Sequence, residues 1–172
     1  MKSIFVVAHH TRGEIAQLLT DLEAWCTKHG HHLWMLPADA NARGCEHLAS
    51  DRSAMDADVV LSLGGDGTVL RAVHLLDGAP VPILGVNVGT LGYLTEIEPS
   101  ECISSLQRWV DGRVDKDFII DKRMMLTVLL KQASGGTDLS WRALNEAVLE
   151  KQQSGHTVWL DVVINSELFA KY

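Results

Sequence analysis

Val59-Val60-Leu61-Ser62-Leu63-Gly64-Gly65-Asp66-Gly67-Thr68-Val69-Leu70-Arg71-Ala72-Val73 is the stretch whose reading decides the fold. Its first five residues form an apolar run that reads as a buried strand. Glycines then interrupt it, and the chain resumes at Val69 with no helix breaker. A strand that runs through a glycine-rich turn into a helix suits an anion. Glycines remove the Cβ atoms that block close approach, and they let backbone N–H groups turn inward. The free N–H groups and the positive dipole end of the following helix add to the attraction. The carboxylate of Asp66 sets this loop apart, because an acid among phosphates is unfavourable unless it handles a proton or a metal ion.

Outward from this stretch the pattern repeats. Ile4–Ala8 reads as a strand. Ile15, Leu18, Leu19, Leu22 and Trp25 have helical spacing within Glu14–Lys28, and Gly30 ends that helix. Leu33–Leu36 reads as a strand stopped by Pro37, a short helix is expected around Cys45–Ser50, and Val81–Val86 is strand-like. Strands alternating with helices imply parallel crossovers and a doubly wound sheet. After Pro99 the character changes. A helix is expected over Ser100–Asp111, with Ser100 as its N-cap and Gly112 beyond its end. Strands follow at Met125–Lys131 and Leu139–Leu144 around the turn Ser134-Gly135-Gly136-Thr137, then at Thr157–Ile164 and Glu167–Tyr172 around Asn165-Ser166. The expected fold class is therefore α/β. A doubly wound parallel sheet domain, residues 1–99, is followed by the start of a β-rich, sandwich-like domain, residues 100–172.

Composition narrows the function. The 172 residues are 47% hydrophobic and 22% charged, which suffices for a core and argues against general disorder. A net charge of −7 argues against a nucleic-acid or anionic-membrane binder. No apolar run approaches the ~18–20 residues that span a bilayer. The residues before Ile4 are too few for a signal peptide, and Cys26, Cys45 and Cys102 form no Cys-x-x-Cys pair. Reduced thiols in a cytoplasmic protein are the expectation. His29, His31 and His32 read as a solvated turn rather than a metal centre, and His9 and His10, ending the first strand, are placed to face the cleft.

Three blocks together resemble the NAD kinase family. Gly64–Thr68 matches its GGDGT motif. Pro82–Asn87, continuing to Gly89-Thr90-Leu91-Gly92-Tyr93-Leu94-Thr95, is similar to its second block, and Ala143-Leu144-Asn145-Glu146-Ala147-Val148-Leu149 to its third. GGDGT alone also occurs in lipid kinases of the diacylglycerol and sphingosine type, so the Asn-Glu block carries the distinction. The chain departs from the family pattern at Thr90, Tyr93 and Asp121. It also has no counterpart of the family's TGSTAY-like loop before Tyr172.

The resemblance implies transfer of the ATP γ-phosphoryl group to the 2′-hydroxyl of the adenosine ribose of NAD, giving NADP, with Mg²⁺ accompanying ATP. On that reading the amides of Gly64, Gly65 and Gly67 cradle phosphate oxygens, and Thr68 adds a hydroxyl or caps the helix. Asp66 is the general base, with Mg²⁺ binding its rival role. Asn145 and Glu146 bind NAD, an amide reading the adenine edge and a carboxylate accepting from ribose hydroxyls. His156 is a further nucleotide contact or else a surface-loop histidine. By position, Arg71, one helical turn beyond Asp66, meets a phosphate or is simply solvated, and Asn87 and Tyr93 line the cleft at the strand ends, with a core aromatic the other reading of Tyr93. A homodimer or homotetramer is also implied. Two other readings stand beside this one: a catalytically incomplete nucleotide-binding or regulatory fragment, and a lipid kinase with the same loop.

Overall fold

The computed structural model describes residues 1–9, 13–89, 92–112, 116–132, 135–150, 155 and 157–172. Four parallel strands form one sheet in the order β2-β1-β3-β4: β1 Ser3–Ala8, β2 His32–Met35, β3 Val59–Gly64 and β4 Ile83–Asn87. Helices α1 Glu14–His29, α2 Pro37–Ala42 and α3 Asp66–Leu76 make the crossovers, and α4 Cys102–Val110 follows β4.

Alternation along the strands explains why both sheet faces are covered. Successive side chains point to opposite faces. Ile4, Val6 and Ala8 of β1 pack with Leu61 and Leu63 of β3 against Ile15, Leu19 and Leu22 of α1 and Cys102 and Leu106 of α4. Phe5 and Val7 pack with Trp34 and Val60 against Ala72 and Leu76 of α3. The central strands are therefore apolar on both faces, as parallel sheets require. Phe5 and Trp34 stack with ring centroids 4.3 Å apart, and the indole N–H of Trp34 donates to Ser3 Oγ at 3.1 Å.

Local details differ from the sequence expectation at several places: the short helix around Cys45–Ser50 is a 3₁₀ turn, Glu46–Leu48, and the strand expected from Thr157 begins at Asp161. Pro37 ends β2 but also opens α2 as its first residue, where a missing N–H costs nothing. Ser100 does not cap the helix after Pro99. A 3₁₀ turn, Pro99–Glu101, leads into α4, Glu98 precedes it in extended conformation, and no side chain caps either element.

Beyond α4, β5 Leu126–Leu130 pairs antiparallel with β6 Leu139–Ala143, and β7 Asp161–Ile164 with β8 Glu167–Lys171. Asn165 and Ser166 both take positive φ, 51° and 69°, which is the twist a two-residue hairpin turn needs. Large apolar side chains stay exposed here: Leu129 is 63% accessible, Phe169 68% and Trp159 82%.

The segment after β4 returns alongside it, and Ile97 forms a parallel bridge with Val86. Thr95 is buried against Gly85, where a Cβ would lie 2.9 Å from the Leu94 carbonyl oxygen and 3.3 Å from Thr95 Cα. Those neighbours are backbone and cannot swing aside. Gly85→Ala is expected to lower stability by about 1–3 kcal/mol, the usual cost of overpacking, read as an earlier midpoint in urea unfolding.

Candidate functional site

β3 ends at Gly64, Gly65 is the extended N-cap residue, and Asp66 is the first residue of α3. The GGDGT stretch is thus half turn and half helix. The N–H groups that open a helix have no intrahelical acceptor, so the amides of Gly65, Asp66 and Gly67 are of the kind that can receive an anion. The three glycines have different tasks. Added Cβ atoms at Gly65 and Gly67 would meet nothing within 4 Å, so a ligand can approach the backbone there. At Gly64 a Cβ would collide with Thr68 Oγ1 and lie 3.2 Å from His9 Cβ. Gly64 therefore lets the first turn of α3 pack onto the strand ends. Thr68 is buried against it and makes no capping hydrogen bond to α3.

Asp66 is half-buried, and its carboxylate is already engaged. Oδ2 accepts from the Tyr93 N–H at 2.9 Å, and Oδ1 from the Leu94 N–H at 2.9 Å. These two backbone bonds, Tyr93 first, hold the carboxyl below its usual range, against a small opposing effect of desolvation. Gly92 makes the arrangement possible, because a Cβ there would overlap Asp66 Oδ1 and lie 2.6 Å from its Cγ. Sequence reasoning placed Gly92 within a motif but gave it no role. The Tyr93 ring, 93% accessible, stands free beside this contact, so a flat ligand can lie against it.

Asn87 ends β4 directly opposite Gly64 in the register. Its N–H donates to the Ile97 carbonyl at 2.7 Å, and its Oδ1 is buried with no partner. Ser62 Oγ and Thr95 Oγ1 are likewise buried and unpartnered. Arg71 is held by an ion pair, and its Nη1 is buried with no partner. Its Nη2 donates to Asp39 Oδ1 at 2.7 Å, and Asp39 is only 1% accessible, so the guanidinium neutralises a buried carboxylate of α2.

Asn145 and Glu146 lie just after β6 and are exposed. They line a cleft of about 220 Å³ whose opposite wall is Leu70, Val73 and His74 of α3. Leu70 is one turn beyond Asp66, a rise of about 6 Å along the helix. The structure thus brings the Asn-Glu pair to the flank of the helix that Asp66 opens, but Asp66 is not in that cleft's wall. His156 and His10 lie outside the described residues. His31 accepts the Lys2 N–H on Nδ1 at 3.2 Å and rests against Trp25, so one of its ring nitrogens is already used.

The family described as ATP-NAD kinase N-terminal domain matches residues 4–114. A NAD kinase of Syntrophobacter fumaroxidans is 32% identical over 175 residues, covering 100% of this chain and 59% of that protein. A NAD kinase of Mycolicibacterium paratuberculosis is 36% identical over 166 residues, covering 87% of this chain and 52% of that protein. The chain therefore spans a little over half the length of these curated relatives. The crystal structure of yeast NADH kinase complexed with NADH superposes with a TM-score of 0.81 at 19% identity, over 99% of this chain and 55% of that one. At that identity the likeness concerns the fold.

The ties on Asp66 have a pH signature. A carboxyl with a lowered folded pKa contributes stability that is present above its unfolded value and is lost as pH falls through the folded one. The carboxyl carbon of Asp66, followed by NMR, is expected to titrate below the ordinary aspartate range. In Gly92→Ala, which displaces the carboxylate, the midpoint should move up toward that range, and an unmoved midpoint would show that the two amides do not hold it.

Proposed function

The chain belongs to the ATP-NAD kinase family, and from that premise we propose that it carries the phosphoryl-acceptor side of a NAD kinase. ATP would donate its γ-phosphoryl group to the 2′-hydroxyl of the adenosine ribose of NAD, and NADP would be the product. The observation that carries this reading is Asp66: an ionised, half-buried carboxylate fixed by two backbone bonds at the N-terminus of α3.

Each Asp66 oxygen uses one lone pair on an amide and keeps another for a ligand. A ribose hydroxyl can donate to that remaining pair and be held in line with the γ-phosphorus. As the O–P bond forms, the bond from the γ-phosphorus to the leaving ADP oxygen breaks and the hydroxyl proton passes to Asp66. Phosphoryl transfer asks for little beyond this alignment and for neutralised charge. The open amides of Gly65 and Gly67 supply part of the neutralisation. Mg²⁺ would supply the rest. A single carboxylate with free outward lone pairs fits an ion held mainly by nucleotide phosphates and water, whereas a cage of three or more His, Cys, Asp or Glu side chains is absent among the described residues.

Asn145 and Glu146 would hold NAD against α3, and Asn87 Oδ1, buried and unpartnered, is an acceptor available at the same strand ends. A cytoplasmic setting fits the free thiols of Cys26, Cys45 and Cys102, and no described helix is long and apolar enough to cross a membrane. The apolar side chains left exposed on β5–β8 support assembly into a homodimer or homotetramer, which would cover them.

The reading is tested by incubating the chain with NAD, ATP and Mg²⁺ and following NADP with an NADP-specific dehydrogenase, alongside calorimetric titration with NAD. Wild type is expected to bind NAD and to form NADP. Asp66→Asn should reduce turnover by about 10²–10⁴-fold, the usual worth of a positioned base. Turnover that survives Asp66→Asn removes the role assigned to that residue. A chain that neither binds NAD nor forms NADP removes the function.

A further inference from the structure

Among the described residues of β5–β8, Arg142 is the one whose side chain hydrogen-bonds to the α/β part of the chain. Its Nη1 donates to the Asp77 carbonyl at 2.7 Å. Asp77 closes α3 in the left-handed conformation, φ 43°, so this carbonyl stands at the negative end of the helix dipole, where a cation is favoured. Gly78 follows with φ 82°. A Cβ at Gly78 would overlap Arg142 Nη1 and lie 2.8 Å from its Cζ, so the glycine both turns the chain and leaves the guanidinium its berth.

Arg142 lies on β6 opposite Thr127, three residues before Asn145. It borders the 220 Å³ cleft that Asn145 and Glu146 line, and also an adjoining cleft of about 330 Å³ against Trp141, His74 and Asp77. Asn145 and Glu146 themselves are exposed and lie beyond the last ladder residue, Ala143. Their place beside α3 therefore depends on what holds the end of β6.

We infer that Arg142 is a positioning residue for the dinucleotide: by tying β6 to the C-terminal end of α3, it sets Asn145 and Glu146 against the helix whose first turn carries Asp66. The inference rests on the reading of the Asn-Glu pair as NAD-binding. It makes α3 a ruler, with phosphate chemistry at its N-terminus and dinucleotide recognition fixed from its C-terminus. Arginine suits the task, since its planar fork reaches a carbonyl while its stem stays along the sheet.

The experiment titrates NAD into the wild-type chain, Arg142→Ala, Arg142→Lys, Gly78→Ala and Asn145→Ala by calorimetry, and follows amide exchange of residues 139–146 in the same proteins. Arg142→Ala and Gly78→Ala are expected to weaken NAD binding about tenfold, as loss of a charge-assisted bond does. Arg142→Lys should fall between them and wild type. Exchange over 139–146 should rise in Arg142→Ala while α1 stays protected, and Mg·ATP affinity should not change. NAD affinity unchanged in Arg142→Ala but lowered in Asn145→Ala would overturn the positioning role, as would unchanged exchange over 139–146. If the wild-type chain binds no NAD, the NAD reading fails by itself. The exchange comparison then decides separately whether Arg142 holds β6.

Discussion

The two backbone N–H groups that Tyr93 and Leu94 place on the Asp66 carboxylate are the interaction on which the rest of the site depends. They join the turn after β3 to the segment after β4, so the carboxyl ends of two neighbouring strands become one rim. In doubly wound sheets ligands bind outside those strand ends, and here the rim is closed by an ionised side chain. The tie needs room at three places, each provided by a glycine. Gly64 lets α3 start close to the strands, Gly85 lets Leu94 and Thr95 lie against β4, and Gly92 lets the carboxylate reach the amides. Each would put a Cβ into a different neighbour.

Most of the parallel sheet was legible because its strands are apolar runs and its breaks are glycines. That signal comes from burial on both faces, and it survives any reasonable choice of boundaries. Pro37 was legible as a stop but not as a start, because the same residue serves both ends of an element. Asp66 and Asn87 could be found from their places at strand ends, and Asn145-Glu146 only through its likeness to a family block. The ties on Asp66 could not be found, since a backbone donor has no residue identity; the one trace they leave in the sequence is Gly92. Arg71 shows the reverse problem. A cation one turn beyond a phosphate loop suggests phosphate, and nothing near it in the sequence announces its ion-pair partner Asp39, 32 residues upstream, which is visible only once α2 and α3 are packed together.

The β-rich part follows other rules. Its strands were legible from turn chemistry, Asn165-Ser166 above all, rather than from a core. Two-stranded pairs are marginal by themselves in water, and these expose Leu129, Trp159 and Phe169. Stability therefore resides chiefly in the α/β layers, where α1 and α4 cover one face and α3 the other. The exposed hairpins bring Asn145 and Glu146 beside that platform.

The lowered pKa of Asp66 bears directly on the chemistry proposed for it. A carboxylate stabilised by two N–H bonds is a weaker base than a free one, which disfavours removing an alcohol proton early. Phosphoryl transfer does not ask for that. In a loose transition state the O–P bond forms late, and the attacking hydroxyl becomes acidic only as it does so. A weak but well-placed acceptor then suffices, and its low proton affinity returns it to the ionised form after each transfer. The same geometry warns against reading Asp66→Asn as the value of a base alone. The amide would present an N–H to one of the two amides that now donate to the carboxylate, so the rim loosens while the proton acceptor is lost. Two roles on one side chain act as a unit, and a single substitution measures their sum.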